Sequence, residues 1–371
     1  MFLVSDRCVP SGGIIIKLEV YMKKHGLCLI GGGFIGKKYA EAFSRLPNVS
    51  PVVICDVNRQ NAEEIASRFG FRRIETNWHH AIDTPEIDIV CICVPNCMHY
   101  DIAANAIECQ KNILCEKPLS QSAQDSILLS QMASNKRIIA SCGYNLIYLP
   151  AIEYAKKIVD SGTLGELVSF KGYYDNDRLS NPEAPFEWRL SKSNSIGGSI
   201  SDLGINIIAI SQFLFGEIKS VIGVTNIIHQ QRKDINGMIK DVENDDLAQF
   251  LVKYKDGAIG SISCNRIAVG SKQDMGFTAH FTNGTIRFSM EHMNEIHICT
   301  SKDFGFSIIN SSNGRWFSTG YEELKNQTVE RFISNIDSNT EPDTDFDFAS
   351  KIDQVIEAVL QSSTVNQWID L

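Results

Sequence analysis

The chain contains 371 residues, which at about 150 residues per domain is enough for two domains. Hydrophobic residues make up 43% of it and charged residues 21%, a composition that is typical of globular proteins and excludes wholesale disorder. The 35 basic and 44 acidic residues give a net charge of −9, so nucleic acid and anionic membranes are poor main partners. No apolar run approaches the roughly 18 residues that a membrane-spanning helix needs.

The sequence has eleven cysteines, and their placement argues against disulfides. No C-x-x-C pair is present, and no Cys/His cluster has the spacing of a zinc site. We therefore expect a reducing, cytoplasmic compartment and no metal. Six of the cysteines lie in apolar, strand-like runs, where this residue behaves as a small buried hydrophobic side chain: Cys28, Cys55, Cys91, Cys93, Cys115 and Cys142.

Residues 1–21 precede the first strong strand pattern. Their apolar stretch is too short for the core of a signal peptide. Met22 is followed by two lysines and then directly by the first strand, so we expect Met22 to be the natural start. Residues 1–21 are then an extension outside the core fold. The alternative is an additional edge strand over residues 14–21.

The first half of the chain alternates strand and helix patterns. Repeated β-α units of this length predict a doubly wound parallel sheet, which is a Rossmann fold, over residues 22–145. The predicted strands are residues 27–30, 52–55, 89–94, 112–115 and 137–142, and the helical patterns lie at 35–43, 61–69, 101–109 and 122–132.

After Gly143 the pattern changes. Two turn dipeptides, Asp256-Gly257 and Asn283-Gly284, separate runs of alternating apolar residues, which predicts antiparallel hairpins. We therefore predict a second α+β domain with a large, mostly antiparallel sheet over residues 146–371. Its helices are expected at residues 151–160 and 201–215 and near 322–336 and 348–360, and a long polar segment occupies 176–197.

A glycine-rich turn follows the first strand and begins the first helix. Gly31, Gly33 and Gly36 form G-x-G-x-x-G, with Phe34 and Ile35 inside the motif. The first glycine permits the tight turn, the second lets a pyrophosphate approach the backbone at the helix N-terminus, and the third permits close packing. The motif predicts a dinucleotide site, and the alternative is a turn that is only tightly packed.

Asp56 closes the second strand, twenty residues after the last glycine of the motif. An acidic side chain at this place accepts hydrogen bonds from the adenosine ribose, and its charge repels a 2′-phosphate. We therefore expect NAD in preference to NADP. Arg59 keeps NADP open as the alternative, since it could pair with a phosphate.

Two further motifs follow strands at the same sheet edge, where ligands of such sheets bind. Pro95 and Asn96 follow the predicted strand at residues 89–94; Asn96 either caps the next helix or contacts the cofactor. His99 is a cofactor contact or a solvated residue of the first helical turn. Glu116 and Lys117 follow the predicted strand at residues 112–115, and proline after Lys117 predicts an extended geometry or a cis bond.

In their order and spacing these motifs resemble the glucose–fructose oxidoreductase, inositol dehydrogenase and rhizopine-catabolism family (Gfo/Idh/MocA) over about residues 24–370. The resemblance implies an NAD(P)-binding domain and a second domain that binds substrate and forms a homodimer or homotetramer through its open sheet. It implies hydride transfer between nicotinamide and a sugar, sugar derivative or cyclitol. Later motifs complete the resemblance: Gly143-Tyr144-Asn145, Trp188-Arg189, Gly197-Gly198 and Asp202-Leu203-Gly204-Ile205-Asn206.

The resemblance also implies the catalytic residues. The family's Lys of E-K-P falls on Lys117, and its Asp of D-x-G-x-H falls on Asp202, but its His is replaced by Asn206. Asn206 does not titrate, so Asp202 or Lys117 must accept the hydroxyl proton. This suits an acidic hydroxyl such as C1 of an aldose. The alternative is a non-catalytic, NAD(P)-binding sugar sensor of the same fold.

Three further residues are candidates for contact with substrate. Trp188 and Arg189 lie in the long polar segment, where the indole either stacks on a sugar ring or is buried for structural reasons. Tyr144 either lies near the nicotinamide edge or packs at the junction of the domains.

Overall fold

The computed structural model describes residues 24–310 and 323–371 of the chain. Within these ranges the first half forms a six-stranded parallel sheet with the strand order 3-2-1-4-5-6. This is the predicted doubly wound sheet. Its strands are β1 (His25–Ile30), β2 (Val49–Cys55), β3 (Arg73–Glu75), β4 (Ile89–Ile92), β5 (Asn112–Cys115) and β6 (Ala140–Cys142).

Both faces of this sheet are covered, which explains why its strands are apolar runs without alternation. In β1, Leu27 and Leu29 belong to one apolar cluster, and Cys28 and Ile30 belong to another on the opposite face. The helices of this half are α1 (Phe34–Ser44), α2 (Arg59–Phe69), α3 (Trp78–Ile82), α4 (His99–Glu108) and α5 (Ala123–Lys136).

The second half contains a nine-stranded sheet among the described residues. All its strand pairs are antiparallel except the pair of Leu167–Asp175 with Ile259–Asn265, so the predicted, mostly antiparallel architecture is confirmed. In spatial order the strands are β16 (Ser307–Asn310), β15 (Glu295–Thr300), β14 (Gly284–Ser289), β13 (Asp274–Phe281), β7 (Leu167–Asp175), β12 (Ile259–Asn265), β11 (Leu247–Tyr254), β8 (Ile218–Asn226) and β17 (Ile369–Asp370).

Helices cover one face of this sheet, and a separate two-stranded ribbon lies outside it. In β11, Ala248, Phe250 and Val252 point to the helices and are buried, whereas Leu251 between them is half exposed. The remaining elements are α6 (Pro150–Asp160), α7 (Ile205–Phe215), α8 (Glu323–Ser338), α9 (Phe346–Val365), and the ribbon strands β9 (Gln231–Lys233) and β10 (Ile239–Asp241).

The last two helices return to the first sheet. Helix α8 packs against α1, and its Val329, Phe332 and Ile333 belong to the same apolar cluster as β1. Helix α9 packs against both α5 and β8, so it joins the two halves. The C-terminal helices therefore pack against elements of both halves.

Most predicted elements are present, with ends displaced by a few residues. The prediction missed β3 and α3, which are short, and in the second half it located only β11, β12, β13 and β14 among the strands. The alternatives for residues 1–21, and the start of the last but one helix at residue 322, lie outside the described residues. The ten cysteines of the described ranges are free thiols. In the same ranges no helix is both long and apolar enough to cross a membrane, and no His, Cys, Asp and Glu group could hold a metal.

Asp353 on α9 is a fully buried carboxyl at the contact between α9 and α5. Its Oδ2 accepts hydrogen bonds from the Ser126 hydroxyl at 2.6 Å and the Ser120 amide at 3.3 Å. Burial raises the pKa of Asp353 to about 7, because these donors only partly offset desolvation. An aspartate in the unfolded chain has a pKa of about 4. Above this pH the unfolded chain binds fewer protons than the native protein, so the free energy of unfolding falls as the pH rises.

We expect Asp353→Asn to remove this part of the pH dependence. The free energy of unfolding of the parent should fall between about pH 4 and about pH 7. This fall should exceed that of the variant by on the order of 2–4 kcal/mol. Urea unfolding at pH 5 and pH 7.5 measures the difference. Asp347→Asn, at an exposed position of the same helix, is the matched control. Equal pH dependence in the parent and in Asp353→Asn would show that this carboxyl is ionised in the native protein.

Candidate active site

The glycine turn between β1 and α1 is shaped by two close backbone contacts. Gly31 has a φ of 99°, and a Cβ there would lie 2.3 Å from the Cys93 carbonyl oxygen. A Cβ on Gly36 would lie 1.9 Å from the Gly31 carbonyl oxygen, so this glycine permits the turn itself to close. A Cβ on Gly33, at the N-terminus of α1, would have no atom within 4 Å. The open space at this helix N-terminus fits a pyrophosphate.

The first turn of α1 borders the cleft between the two sheets. Phe34 is 74% exposed there, and Ile35 is partly buried beside it. Exposure of a large apolar side chain is unfavourable in water, and a bound cofactor would cover it. Both side chains line the cleft.

Asp56 is held at the end of β2 by the backbone. Its Oδ2 accepts a hydrogen bond from the Gly32 amide at 2.5 Å, and its Oδ1 accepts one from the Asn58 amide at 2.7 Å. The carboxylate therefore lies against the glycine turn, at the place where the ribose of a dinucleotide is bound in this fold. Arg59 donates to Glu63 of its own helix at 3.0 Å. Its guanidinium is thus paired, and Asp56 is the group that faces the turn.

The residues after β4 divide between the cleft and the core. Pro95 leads into a short 3-10 helix, and Asn96 lines the cleft with its amide donating to the Ser195 hydroxyl at 3.4 Å. The capping alternative for Asn96 is wrong, because no side chain caps either this turn or α4.

His99 has no exposed surface, so the solvated alternative is also wrong. Its two ring nitrogens lie 2.8 Å from the Pro118 carbonyl oxygen and 3.0 Å from that of Val94. Burial lowers the pKa of this imidazole. The ring joins the ends of β4 and β5, so the structure does not support the predicted direct contact with a cofactor.

A cleft of about 360 Å³ lies between the two halves of the molecule. Its position at the carboxyl ends of β1, β4 and β5 agrees with the general rule for ligands of such sheets. The predicted residues that line it are Phe34, Ile35, Asn96, Glu116, Lys117, Trp188, Arg189, Asp202 and Asn206.

Lys117 extends across the cleft from the first half to the second. Its Nζ donates to the main-chain carbonyl of Asp202 at 2.8 Å and lies 3.9 Å from the Asp202 Oδ1 atom. The Lys117–Pro118 peptide is cis, one of the two predicted geometries. Burial lowers the pKa of Lys117, although Asp202 and Glu116 act in the opposite direction. The amine is therefore easier to deprotonate than an exposed lysine.

The Asp202 carboxylate is surrounded by three cations. Its Oδ2 lies 3.2 Å from Arg178, and its Oδ1 lies 3.9 Å from Lys117 and 4.0 Å from Arg189. Burial alone would raise the pKa of Asp202, but Lys117 and the two arginines lower it below its usual value. Asp202 is therefore ionised at neutral pH and is a weak base.

A π-helical turn, Ile200–Gly204, precedes α7 and contains Asp202. Turns of this kind are frequent at functional sites. The Asp202 carbonyl oxygen accepts from Lys117 and, at 3.1 Å, from the Asn206 side-chain amide. Asn206 also donates to the Leu203 carbonyl at 3.2 Å and is 8% exposed. Asn206 thus supports the backbone group that holds Lys117.

The three candidate substrate residues separate into two groups. Trp188 is only partly buried and lines the cleft, and the Arg189 guanidinium lies 4.3 Å from the centre of its ring. The alternative of a buried structural tryptophan is therefore wrong. Tyr144 is 1% exposed and packs edge-on against Phe348 of α9 with ring centres 5.8 Å apart. Its assignment to the substrate is corrected, because it packs at the junction of the two halves.

Two charged residues of the cleft were missed by the sequence prediction. Arg178 binds both Asp202 and Glu187, the latter at 2.8 and 3.0 Å, but nothing in the polar segment around it indicates this role. Lys325 of α8 is 5% exposed and also lines the cleft. A signal was available for Lys325: it precedes Val329 by four residues and Phe332 by seven, which places a lysine on the apolar face of its helix.

Two family models match the chain. Residues 26–144 match the model described as "Oxidoreductase family, NAD-binding Rossmann fold", and residues 152–287 match the "GFO/IDH/MocA C-terminal domain". The prediction of an NAD-binding Rossmann domain is therefore confirmed.

Curated relatives and solved structures agree with these matches. Levoglucosan dehydrogenase from Pseudarthrobacter phenanthrenivorans is 29% identical over 94% of this chain and 99% of its own length. Glucose-6-phosphate 3-dehydrogenase from Bacillus subtilis is 31% identical over 69% of this chain and 71% of its own length. A solved structure of levoglucosan dehydrogenase in complex with NADH and L-sorbose superimposes with a TM-score of 0.90 at 29% identity, covering 94% of this chain and 99% of that one.

Proposed function

The chain belongs to the Gfo/Idh/MocA family of oxidoreductases, and on this premise we propose that it is an NAD-dependent dehydrogenase of a sugar, sugar derivative or cyclitol. The observation that carries the proposal is the approach of Lys117 to Asp202 across the cleft, with Nζ 2.8 Å from the carbonyl oxygen and 3.9 Å from the carboxylate. A base and a group that stabilises negative charge are what oxidation of an alcohol requires.

The cofactor is held, in this proposal, by the glycine turn and the end of β2. Gly33 and the N-terminus of α1 would hold the pyrophosphate, and Asp56 would accept hydrogen bonds from the ribose. Phe34, Ile35 and Asn96 line the cleft beside this turn and would contact the rest of the cofactor. When bound, the nicotinamide ring supplies the hydride chemistry.

Lys117 acts as the general base in the proposed reaction. Its neutral amine accepts the proton of the substrate hydroxyl, and the lowered pKa of this lysine increases the fraction of neutral amine near neutral pH. Asp202 remains ionised, orients the amine and the hydroxyl, and balances the positive charge that Lys117 gains. Trp188 supplies an apolar surface for a sugar ring, and Arg189 provides hydrogen-bond donors at the same side of the cleft.

A substrate panel tests the function. Purified protein is incubated with NAD or NADP and with aldoses, inositols, anhydrosugars and sugar phosphates, while the absorbance of the reduced cofactor is followed. Aldoses are placed first, because a hemiacetal hydroxyl loses its proton more readily than an ordinary secondary alcohol. Lys117→Met, with its expected loss of turnover, is the matched control. Tight NAD binding without reduction by any member of the panel would favour the sensor function instead.

We expect the protein to bind NAD more tightly than NADP, since the Asp56 carboxylate at the glycine turn repels a 2′-phosphate. A preference of about tenfold or more corresponds to a difference of ~1.4 kcal/mol in binding free energy. Fluorescence titration of both cofactors measures the two dissociation constants. Asp56→Asn should reduce the preference, and Asp83→Asn, an exposed carboxylate elsewhere in the same domain, should leave it unchanged. Equal or tighter NADP binding that is lost in Arg59→Ala would contradict the assignment.

The proposal includes assembly into a homodimer or homotetramer through the open face of the nine-stranded sheet. Val224, Leu251 and Ile259 lie on strands of this sheet, on the side away from the helices, and are 58%, 51% and 59% exposed. Apolar side chains grouped on one sheet face are typical of a protein interface. Analytical ultracentrifugation gives the mass in solution. A cytoplasmic location also belongs to this proposal, supported by the free thiols of the described residues.

A further inference from the structure

Tyr39, Glu116 and Lys325 form a buried triad at the wall of the cleft. The Tyr39 hydroxyl donates to Glu116 Oε1 at 2.7 Å, and the Lys325 Nζ donates both to the same oxygen and, at 3.0 Å, to the Tyr39 hydroxyl. The ammonium group also lies 4.3 Å from the centre of the Tyr39 ring. The Lys325 and Glu116 side chains are 6% and 13% exposed. The triad therefore joins α1, the end of β5 and the first turn of α8.

A buried ion pair of this kind is not explained by stability alone. Removing two charges from water costs several kcal/mol per ion, and apolar replacements of similar size are often as stable. The position of the pair is more informative: Glu116 directly precedes Lys117 in the chain, and Lys325 lies on the same cleft wall. Gly143 also leaves room for this arrangement, because a Cβ there would lie 2.7 Å from Glu116 Oε1.

We propose that Lys325 is a positioning residue for Lys117, because it neutralises Glu116 and thereby leaves the Lys117 amine directed at Asp202 and the substrate hydroxyl. The proposal rests on the proposed function, in which Lys117 is the base. Without Lys325, Glu116 would be a buried carboxylate without its cation, and the amine of the adjacent lysine would be the nearest replacement.

The charges around Lys117 support this role. Burial lowers the pKa of Lys117, Asp202 and Glu116 raise it, and Arg189 and Lys325 lower it. Arg178 faces the same site through its contact with Asp202. Lys325 thus lowers the pKa of Lys117 in two ways, through its own positive charge and by compensating the charge of Glu116. The pKa of Glu116 is itself lowered, because the effect of Lys325 outweighs that of burial.

The proposal matters for one chemical step. In the oxidation of an alcohol, the O–H bond of the substrate breaks and an N–H bond forms on Lys117 Nζ, so that the amine becomes an ammonium group. Only the neutral amine can accept this proton. Any change that keeps Lys117 protonated to higher pH removes the base from the pH range in which the enzyme works.

The test measures Lys117 directly, without turnover. The cofactor-free protein is labelled with a trace of an acylating reagent over a range of pH, and the rate at Lys117 is read by mass spectrometry. In Lys325→Met we expect labelling at about pH 8 to fall by about fivefold or more, because a tenfold change corresponds to one pKa unit. Lys325→Arg keeps the charge and should keep the parent profile. The double variant Glu116→Gln/Lys325→Met removes both charges and should restore it.

Turnover gives the second readout. In Lys325→Met the increase of kcat with rising pH should move to higher pH, in parallel with the labelling profile. The melting temperature of the variant reports any loss of structural stability. The double variant also covers the case in which Lys325→Met does not fold, since it contains no uncompensated carboxylate. An unchanged Lys117 profile in Lys325→Met, or a profile displaced to higher pH in the double variant, would overturn the proposal. If the labelling profiles shift as expected but the protein oxidises no polyol, the proposed function is overturned and the role of Lys325 toward Lys117 is not.

Discussion

Replacing Lys117 by methionine is expected to lower turnover by about 10²–10⁴-fold, the usual contribution of a general base. The structural reason is that Lys117 is the cleft lysine whose Nζ meets Asp202 across the two halves, 2.8 Å from its carbonyl oxygen. Methionine has a similar length and keeps the packing of the stem, so the loss reports the amine. Steady-state kinetics with the best substrate of the panel measures kcat.

The pH dependence of turnover gives a second test of the role of Lys117. Burial lowers the pKa of Lys117, so the rate of alcohol oxidation should rise with pH through a value below the ordinary lysine pKa of about 10.4. Below that value the amine is protonated and cannot accept the hydroxyl proton. Asp202 is ionised throughout this range and adds no second rise near neutrality. In Lys117→Met the rise should disappear from the residual activity.

Two controls separate chemistry from binding. NAD titration should give a dissociation constant close to that of the parent, since the pyrophosphate and ribose contacts lie at the glycine turn. Lys136→Met removes a lysine of the same domain that pairs with Glu108 on the surface, and it should leave kcat unchanged. Parent-like turnover in Lys117→Met with normal NAD binding would show that the base lies elsewhere.

The parts of the fold that the sequence predicted are those with local signals. The strands of the first sheet are buried on both faces and are therefore continuous apolar runs, and Gly70 and Ser122 mark the end of α2 and the start of α5. The strand β3 and the helix α3 have no such signal, because three and five residues are too few to establish a period.

The same distinction between local signals and long-range contacts applies to the site. Lys117 and Asp202 were predicted from motifs, but Lys325 meets Glu116 across a separation of 209 residues, which no local pattern contains. Tyr144 was assigned to the substrate although its ring packs on Phe348 of α9, since the position of a C-terminal helix is a property of the tertiary structure. The π turn at Asp202 was also beyond prediction, because a five-residue turn hardly changes the helical pattern.

Asp202→Asn is the second substitution with a large expected effect, a loss of about 10²–10³-fold in turnover, as for removal of one charge that stabilises the transition state. The carboxylate balances Lys117, Arg178 and Arg189, and its removal leaves three cations around one neutral amide. The main-chain carbonyl that holds Lys117 at 2.8 Å remains in the variant. The substitution therefore removes charge from the site while it leaves the position of the lysine largely intact.

Glu187→Gln is the matched control, because Glu187 is the other carboxylate that binds Arg178. It removes one negative charge from the same arginine without touching Lys117, so its loss of turnover should be at least tenfold smaller than that of Asp202→Asn. Similar losses in the two variants would indicate that the anchoring of Arg178, and not the charge next to Lys117, is what the reaction needs.

The residual activity of Asp202→Asn identifies the base. Asp202 raises the pKa of Lys117, so its removal should move the rise of kcat to lower pH if Lys117 accepts the proton. If Asp202 itself accepts the proton, the activity that remains should be independent of pH over the same range. The profile is measured at saturating substrate, with NAD binding checked at each pH. Parent-like turnover of this variant would contradict the assignment of the active site, since the one carboxylate that faces Lys117, Arg178 and Arg189 together would then be dispensable.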